Sequence, residues 1–362
     1  MTKKYTVFII IPSFSNLSPI AGAAAFANKL CDEHDVSIIA LKKGNKAEFL
    51  FDKRCKLIDI SNINPFQKYL YLRNLFSRNS CNTFSFALSI CFSADFYTSF
   101  FRSKIFTITS VRGDLPVVYK IEFGYLGPLI SFLHINFLRR FHVRLGLTKV
   151  MVKKISSLTN RPCFLLPNFI DEKRIETYFS NEAQNGETQF IFIGSITTLK
   201  SPITLVKAFV ELENKGYRYK LDIVGEGPLF NTIVKYKDFL KDSTRIVTHG
   251  FLINPFPILS KSNILVLPSL TEGISRSMLE ALYLGVFCII RDNDSSAKEY
   301  IQEGVNGFTF RKDSELPQLM IEASKITKKI NYKKNLLPNT FRQENVINSL
   351  LEITDKYLSK DN

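Results

Sequence analysis

Short apolar runs alternate with longer mixed segments along the whole chain. Residues 7–11 are continuously apolar, which is typical of a central parallel strand that is covered on both faces. A polar loop follows, and the alanine-rich residues 21–30 then predict a helix. A strand, a small-residue loop and a helix in this order predict the start of a doubly wound α/β domain.

The same rhythm restarts after a polar stretch at residues 167–187, where we predict a domain boundary. The second part predicts strands at residues 190–193, 220–224, 245–247, 264–267 and 286–290, and helices at 202–214, 229–240, 255–260 and 276–284. We expect one domain at residues 1–168 and another at 169–335. An amphipathic helix in residues 336–362 is expected to pack back on the first domain.

Two loops of the first domain are candidate ligand sites. Gly22 and Ala23, at the start of the first predicted helix, suit either close approach of a ligand to the backbone or plain packing against the sheet. Arg112 and Asp114 lie in a loop at the end of a predicted strand, where α/β domains bind ligands.

Charge is distributed unevenly along the 362 residues. The chain holds 48 Lys and Arg against 33 Asp and Glu, with 45% hydrophobic residues. Residues 1–168 contain 23 of the basic residues but only 9 of the acidic ones, a net charge of +14. The asymmetry predicts an anionic partner for the first domain alone.

Residues 129–147 interleave aromatic and aliphatic residues with Arg and His, and we predict a single helix there. Such a helix suits an anionic lipid surface. There are two alternatives. The segment could be an ordinary domain helix with a solvated basic face, or it could bind nucleic acid. His134 and His142 are expected at the surface of this helix.

Two features bear on the location of the protein in the cell. Six scattered cysteines without a C-x-x-C pair favour a reducing compartment. Residues 80–101 are long enough to span a membrane, but Ser, Thr and Asn dilute their hydrophobicity, so no transmembrane helix is predicted. With the basic first half, these features predict a cytoplasmic protein bound peripherally to the inner face of the plasma membrane.

The most informative chemical pattern surrounds the apolar run at residues 264–267. Pro268 ends this predicted strand, Glu272 lies in the next loop, and Glu280 lies inside the helix that follows. Backbone N–H groups at the start of a helix can bind phosphate, and carboxylates can accept hydrogen bonds from hydroxyl groups. The pattern therefore indicates a phosphorylated, polyhydroxylated ligand. The alternative is that both acids are solvated or capping residues of an ordinary α/β domain.

Two more loops follow strands of the second domain. Gly194 and Ser195 leave the first strand and Lys200 precedes the next helix, which makes an electropositive end suited to a diphosphate. The loop at Gly225 superficially resembles a phosphate loop, but Pro228 and the missing third glycine favour a simple turn.

These pieces form an ordered series: Pro167-Asn168-x-x-Asp171, Gly194 with Lys200, Val224-Gly225-Glu226-Gly227-Pro228-Leu229, His249-Gly250, Leu267-Pro268-Ser269-x-x-Glu272-Gly273, Leu279-Glu280-Ala281, Glu299-Tyr300-Ile301 and Gly304-Val305-Asn306-Gly307. The series resembles the nucleotide-binding half of retaining GT-B glycosyltransferases of the Glu-x7-Glu group (glycosyltransferase family 4, or glycosyl transferases group 1). The loop at residues 110–114 resembles a loop of bacterial enzymes that make surface polysaccharides such as O-antigen of lipopolysaccharide and capsule.

The resemblance implies a GT-B fold, in which two Rossmann-like doubly wound domains face a central cleft. It implies that Lys200 binds the donor diphosphate, Glu272 holds the transferred sugar, and Glu280 holds the ribose hydroxyls. The backbone that would hold the sugar and its phosphate is that of Gly273, Ile274 and Ser275. Glu272 and Lys200 are thus the candidate catalytic residues, and no metal or cofactor is implied besides the UDP- or GDP-linked sugar.

Two positions depart from the family pattern. Ser195 stands where an arginine commonly follows Gly194, which removes one cation from the diphosphate site, and Arg276 or Arg291 could replace it. Phe287 stands where the family has proline, and we expect it to alter packing more than chemistry.

The predicted function is metal-independent transfer of a hexose or N-acetylhexosamine, with retention, to a polyprenyl-diphosphate-linked saccharide. Gly22, Ala23, Arg112 and Asp114 are the acceptor-side candidates. The alternatives are a nucleotide-sugar epimerase or a phosphorylase of the same fold, and a basic protein that binds nucleic acid without catalysis.

Overall fold

The computed structural model describes residues 3–15, 17–45, 47–79, 84–179, 186–236, 240, 242–292, 296–329 and 334–361. The chain divides into two compact units. Unit 1 comprises Met1–Ile170 and Thr340–Asn362, and unit 2 comprises Asp171–Asn339.

Unit 1 is built on a parallel sheet. Its strands are β1 (Thr6–Ser13), β2 (Asp35–Lys42), β3 (Lys56–Asp59), β4 (Ser85–Ile90), β5 (Phe106–Val111), β6 (Val143–Gly146) and β7 (Phe164–Leu165). They lie in the order β3-β2-β1-β4-β5-β6-β7, and each pairing is parallel. The order reverses between β1 and β4, which makes their carboxyl ends the switch point of this sheet.

Helices cover both faces of the first sheet. They are α1 (Ser18–Leu30), α2 (Pro65–Asn79), α3 (Phe92–Thr98), α4 (Leu115–Phe123), α5 (Gly127–Leu138) and α6 (Lys149–Thr159). Alternate residues of β1 point to opposite faces. Val7 and Ile9 share a core with α1, whereas Phe8 and Ile10 share a core with Phe76 of α2. The continuous apolar run therefore marks a strand that is buried on both faces.

Unit 2 is built on a second parallel sheet. Its strands are β8 (Gln189–Ile193), β9 (Lys220–Val224), β10 (Ile246–Gly250), β11 (Ile264–Leu267), β12 (Phe287–Arg291) and β13 (Gly307–Phe310). Its helices are α7 (Glu172–Glu176), α8 (Pro202–Asn214), α9 (Phe230–Tyr236), α10 (Phe256–Leu259), α11 (Arg276–Tyr283) and α12 (Leu316–Lys329). The strand order is β10-β9-β8-β11-β12-β13, so the switch point lies between β8 and β11.

The last helix, α13 (Gln343–Asp361), belongs to unit 1. Val346, Ile347 and Leu350 lie in the same core as α1. The ring of Tyr357 packs on that of Phe164, with centroids 5.2 Å apart. Residues distant in sequence thus complete the core of the first unit.

The two parallel sheets confirm the predicted α/β fold with two Rossmann-like domains. In unit 2, β8 to β12 and α8, α10 and α11 lie within a few residues of their predicted positions. Residues 84–101 form β4 and α3 instead of one membrane-length helix.

The predicted helix over residues 129–147 is wrong. The helix α5 ends at Leu138, and the next few residues turn into β6. The Arg144 side chain is buried within this strand, and burial lowers its pKa to about 10. Its guanidinium donates to four carbonyls at 2.6–3.3 Å, those of Leu138, Phe141, His142 and Pro162. Arg144 therefore satisfies backbone groups that follow α5 and does not line a solvated basic face.

The prediction that His134 lies at the surface is also wrong, because its side chain is only 3% exposed. His142 is half-buried, and its ring stacks on Phe106 with centroids 4.8 Å apart. Within the described residues, one helical segment, Leu115–Leu138, is long and apolar enough by composition to cross a membrane. It consists of α4, a 3-10 turn and α5.

Candidate active site

The carboxyl ends of β8 and β11 lie side by side at the switch point of unit 2. Residues 194–201 leave the end of β8, and residues 268–275 leave the end of β11. The backbone N–H of Leu270 donates to the carbonyl of Leu199 at 2.8 Å. The topology therefore joins two loops that are far apart in sequence into one surface, at the position where open α/β sheets bind ligands.

Lys200 and Glu272 meet across this junction. The Lys200 Nζ contacts Oε2 of Glu272, and the two side chains remain 24% and 21% exposed. Both charges can therefore be reached from solvent. An incoming diphosphate can compete with Glu272 for the ammonium group, and the carboxylate released from that contact can accept hydrogen bonds from hydroxyl groups.

A glycine-rich turn after β9 braces the loop that leads to Lys200. The N–H of Ile196 donates to the carbonyl of Glu226 at 2.8 Å. A Cβ atom on Gly225, where φ is +142°, would lie 1.9 Å from the carbonyl oxygen of Gly194. The backbone of the neighbouring loop thus fills the space beside this glycine, which favours a packing turn over a phosphate loop.

Glu280 lies one turn inside α11 and is 8% exposed. Nη2 of Arg276 donates to its Oε1 at 3.4 Å. Burial raises the pKa of the Glu280 carboxyl, and the charges of Arg276 and Arg174 oppose that rise. Burial also lowers the pKa of Arg276, which the charge of Glu280 opposes. This contact uses one carboxylate oxygen, so the group keeps acceptor capacity for a ligand hydroxyl.

Gly273, Ile274 and Ser275 are buried residues that lead directly into α11. The hydroxyl of Tyr300 donates to the Gly273 carbonyl at 3.4 Å. The Ser277 hydroxyl donates to the carbonyl of Ile193, at the end of β8, at 3.2 Å. These contacts fix the start of α11, with its N–H groups, beside the loop that begins at Gly194.

The two arginines considered as substitutes for the missing cation have partners within unit 2. Ser195 itself is exposed on the loop after β8. Nε of Arg291 donates to the Pro268 carbonyl at 3.0 Å, its Nη2 contacts Asp313, and its guanidinium lies over the ring of Phe310. Arg291 thus anchors the start of the loop that carries Glu272, while Arg276 pairs with Glu280.

The candidate residues of the first domain lie in unit 1, near the carboxyl ends of β1 and β5. Nη1 of Arg112 donates to Oδ1 of Asn168 at 2.8 Å. A Cβ atom on Gly22 would lie 2.4 Å from the same Nη1, so this glycine makes room for Arg112. Asp114 forms an ion pair with a lysine of α6. Ala23 is fully buried in the core.

A buried polar network in unit 1 was not predicted. Oδ2 of Asp95 and Nε2 of His134 lie 2.8 Å apart, and Nδ1 of His134 lies 2.8 Å from the hydroxyl of Tyr119. Oδ1 of Asp95 accepts from the hydroxyls of Thr109, at 2.7 Å, and Ser89. Asp95 is 1% exposed. The available signal was a lone acid in an otherwise uncharged apolar stretch, since such an acid needs partners when it is buried.

Unit 2 has its own histidine–carboxylate pair, because Nε2 of His249 lies 2.6 Å from Oδ1 of Asp222. Among the residues that the structure describes, no group of three His, Cys, Asp or Glu could hold a metal ion.

Comparison with known proteins defines the class of protein. Residues 173–330 match the model of the family described as Glycosyl transferases group 1. The match lies within unit 2 and contains Lys200, Glu272 and Glu280.

Two curated relatives show the range of the sequence similarity. The GalNAc-alpha-(1->4)-GalNAc-alpha-(1->3)-diNAcBac-PP-undecaprenol alpha-1,4-N-acetyl-D-galactosaminyltransferase of Campylobacter jejuni is 25% identical over 364 residues, which cover 92% of this chain and 92% of that protein. The lipopolysaccharide 1,6-galactosyltransferase of Escherichia coli is 33% identical over 133 residues, which cover 35% of this chain and 37% of that protein.

A solved structure extends the similarity to the whole fold. HepE of Anabaena, crystallised in complex with UDP, has a TM-score of 0.77 over 97% of this chain and 100% of its own, at 12% identity. The architecture is therefore GT-B. The protein is a glycosyltransferase.

Proposed function

We propose that the protein transfers a hexose or N-acetylhexosamine from a UDP- or GDP-linked sugar to a saccharide carried on a polyprenyl diphosphate, with retention at the anomeric carbon. The observation that carries the proposal is the contact of Lys200 with Glu272 at the switch point of unit 2. The names of two relatives support a lipid-linked acceptor and a role in bacterial surface polysaccharide synthesis, since they contain PP-undecaprenol and lipopolysaccharide.

The donor would lie over the ends of β8 and β11. Lys200 would bind the diphosphate, with the N–H groups at the start of α11 on the sugar phosphate. Glu272 would accept hydrogen bonds from the transferred sugar. Glu280 would accept hydrogen bonds from the ribose hydroxyls. A buried carboxylate needs hydrogen-bond donors in place of water, and two ribose hydroxyls would supply them.

In the proposed reaction, the acceptor hydroxyl attacks the anomeric carbon on the face from which the diphosphate leaves. The bond from the anomeric carbon to the diphosphate oxygen breaks as the bond to the acceptor oxygen forms. The acceptor proton passes to the leaving phosphate oxygen, so no side-chain base is required. Negative charge grows on the diphosphate, where Lys200 and the backbone of residues 273–275 stabilise it.

We assign the acceptor to unit 1, on the side of Gly22, Ala23, Arg112 and Asp114. This unit carries 26 Lys and Arg against 13 Asp and Glu, whereas unit 2 carries 22 against 20. A basic acceptor unit suits an anionic membrane surface, which supports a location of the enzyme at the cytoplasmic face of the membrane.

A thermal-shift panel of UDP, GDP and their sugars tests the donor assignment. The correct nucleotide should raise the midpoint of unfolding by mass action, by an amount that grows with its concentration. Glu280→Gln should lose that shift, whereas Glu211→Gln, at an exposed carboxylate on α8, should keep it. Stabilisation of the wild type by DNA or RNA, but by no nucleotide, would overturn the proposal.

A further inference from the structure

The segment Leu115–Leu138, here termed the apolar hairpin, exposes an unusual amount of apolar surface. It contains α4, the 3-10 turn at Gly124–Leu126 and α5. Eight of the 23 exposed large hydrophobic residues in the described part of the chain lie on it: Val117, Ile121, Phe123, Tyr125, Leu126, Leu129, Phe132 and Leu133. Tyr125 is fully exposed and Leu126 is 63% exposed. Apolar patches of this kind mark surfaces that contact a partner or a membrane.

The inner side of the hairpin is well packed. Tyr119 on α4 and His134 on α5 bond to each other, and His134 also bonds to the buried Asp95 on α3. The rings of Phe92 and Phe96 on α3 each pack edge-on against Phe137 of α5, with centroids 6.2 and 5.2 Å apart. The hairpin is therefore fixed to unit 1 by its inner side, and its outer apolar side chains are presented on a firm base.

The exposed side chains surround the tip of the hairpin. All residues from 120 to 126 are exposed, and Lys120 and Glu122 are the charged residues among them. A helix that fits a protein groove presents one apolar stripe with a polar face opposite. A tip that is apolar on several sides, with the aromatic side chains of Phe123, Tyr125 and Phe132, instead suits the interfacial region of a bilayer.

Cations lie at the foot of the hairpin. Arg139 and Arg140, both exposed, follow the last residue of α5. The guanidinium of Arg140 lies 5.4 Å from the ring centroid of the exposed Phe100. With the excess of 13 positive charges on unit 1, these arginines complement anionic headgroups.

We propose that the apolar hairpin inserts its tip into an anionic phospholipid bilayer, while Arg139 and Arg140 contact the headgroups. This mode differs from the basic helix lying on the surface that the sequence predicted. The hairpin starts directly after the loop of Arg112 and Asp114. Insertion would hold that loop near the membrane surface, a consequence that rests on the proposed lipid-linked acceptor.

The chain contains no tryptophan, so one introduced tryptophan reports on the hairpin alone. In Tyr125→Trp, the emission should shift to the blue with vesicles of phosphatidylcholine and phosphatidylglycerol, and brominated lipid should quench it. In Val305→Trp, at an exposed apolar position of unit 2, neither change is expected. Unshifted emission of Trp in the hairpin variant, with the protein bound to the vesicles, would overturn insertion.

Vesicle flotation of the full chain measures the contribution of the tip to binding. Leu126→Asp should reduce the partition coefficient about tenfold or more, because an apolar contact is lost and a charge is placed in the lipid. Val305→Asp should leave the coefficient unchanged. Stabilisation by UDP should persist in Leu126→Asp, so a failure of the hairpin proposal can be told apart from a failure of the donor assignment. Unchanged partition in Leu126→Asp would overturn insertion of the tip. Loss of an oligomer as the only effect of this substitution would show that the hairpin binds protein and not lipid.

Discussion

Asp95 of unit 1 and Glu272 of unit 2 are carboxylates that each contact a basic side chain, but they differ in exposure and in the number of their hydrogen-bond partners. Asp95 of unit 1 is 1% exposed and receives hydrogen bonds from two hydroxyls and a histidine. Glu272 of unit 2 contacts one lysine, and both side chains keep more than a fifth of their exposure. Both groups lie near the carboxyl ends of parallel strands, so topology alone does not distinguish them.

The difference lies in how completely the chain itself satisfies each carboxylate. The oxygens of Asp95 are used by partners within unit 1, which makes it a structural group that holds α3, β4, β5 and α5 together. Glu272 has a single lysine partner and remains partly exposed, so a ligand can reach the pair and replace that contact more easily than it could replace the enclosed partners of Asp95. Partial satisfaction at a switch point is thus a better sign of a ligand site than burial of an acid is.

The largest expected effect is on catalysis. Glu272→Gln and Lys200→Ala should each lower kcat roughly 100- to 1,000-fold, because each removes a group that stabilises the transferred sugar or the leaving diphosphate. Their unfolding midpoints should stay close to that of the wild type. Steady-state transfer to a lipid-linked acceptor and thermal unfolding measure the two quantities.

Lys215→Ala provides the control for this comparison. Lys215 pairs with Glu211 on the surface of α8, where both side chains are about half exposed, and its loss should change neither activity nor stability. Wild-type turnover in Glu272→Gln would remove Glu272 from the active site.

The opposite outcome is expected for the network of unit 1. His134→Phe should lower the free energy of unfolding by about 3 kcal/mol, since it leaves the Asp95 carboxylate buried without one of its partners. Tyr119→Phe should cost about 1 kcal/mol, the usual contribution of one neutral hydrogen bond. Chemical denaturation measures the loss, and a UDP titration of the folded variants should remain that of the wild type. Full stability of His134→Phe would contradict the structural role assigned to the network.

The sequence revealed the elements of unit 2 because each signal was local. The strand at residues 264–267 ends at Pro268, which puts Glu272 in a loop, and the short helix after it puts Glu280 on α11. The meeting of Lys200 with Glu272 follows from the strand order, which a doubly wound domain largely fixes. The site assignments themselves stay predictions until donor binding is measured.

The sequence was less informative about unit 1 because its main features depend on long-range contacts. Asp95, Tyr119 and His134 are separated by many residues and follow no shared period. Arg144 lies in the segment for which the sequence predicts one basic, aromatic helix, yet in the structure it is buried in β6 and backbone carbonyls satisfy it. The helix predicted across residues 129–147 failed for the same reason, since the pattern does not say which cations the fold encloses.

A further effect concerns Glu280, which combines the burial of Asp95 with the proposed ligand role of Glu272. Burial raises the pKa of its carboxyl, so the protonated form is favoured in the folded protein. The contribution of Glu280 to stability is therefore full below its ordinary pKa and declines as the pH rises through the raised value. Ionised Glu280 is the form that accepts hydrogen bonds from two ribose hydroxyls, so binding of the donor has the opposite pH dependence. As the pH falls below the raised pKa, the Kd of a UDP-sugar should rise by up to about tenfold for each pH unit.

Calorimetric titration with a UDP-sugar across this pH range measures the effect, because both phosphates of the sugar diphosphate stay ionised throughout. Glu280→Gln should bind weakly at each pH and lose the trend, whereas Glu211→Gln should keep it. A trend that persists in Glu280→Gln would assign the titration to another group, and Glu280 would then resemble Asp95: a buried acid whose partners are all within the chain.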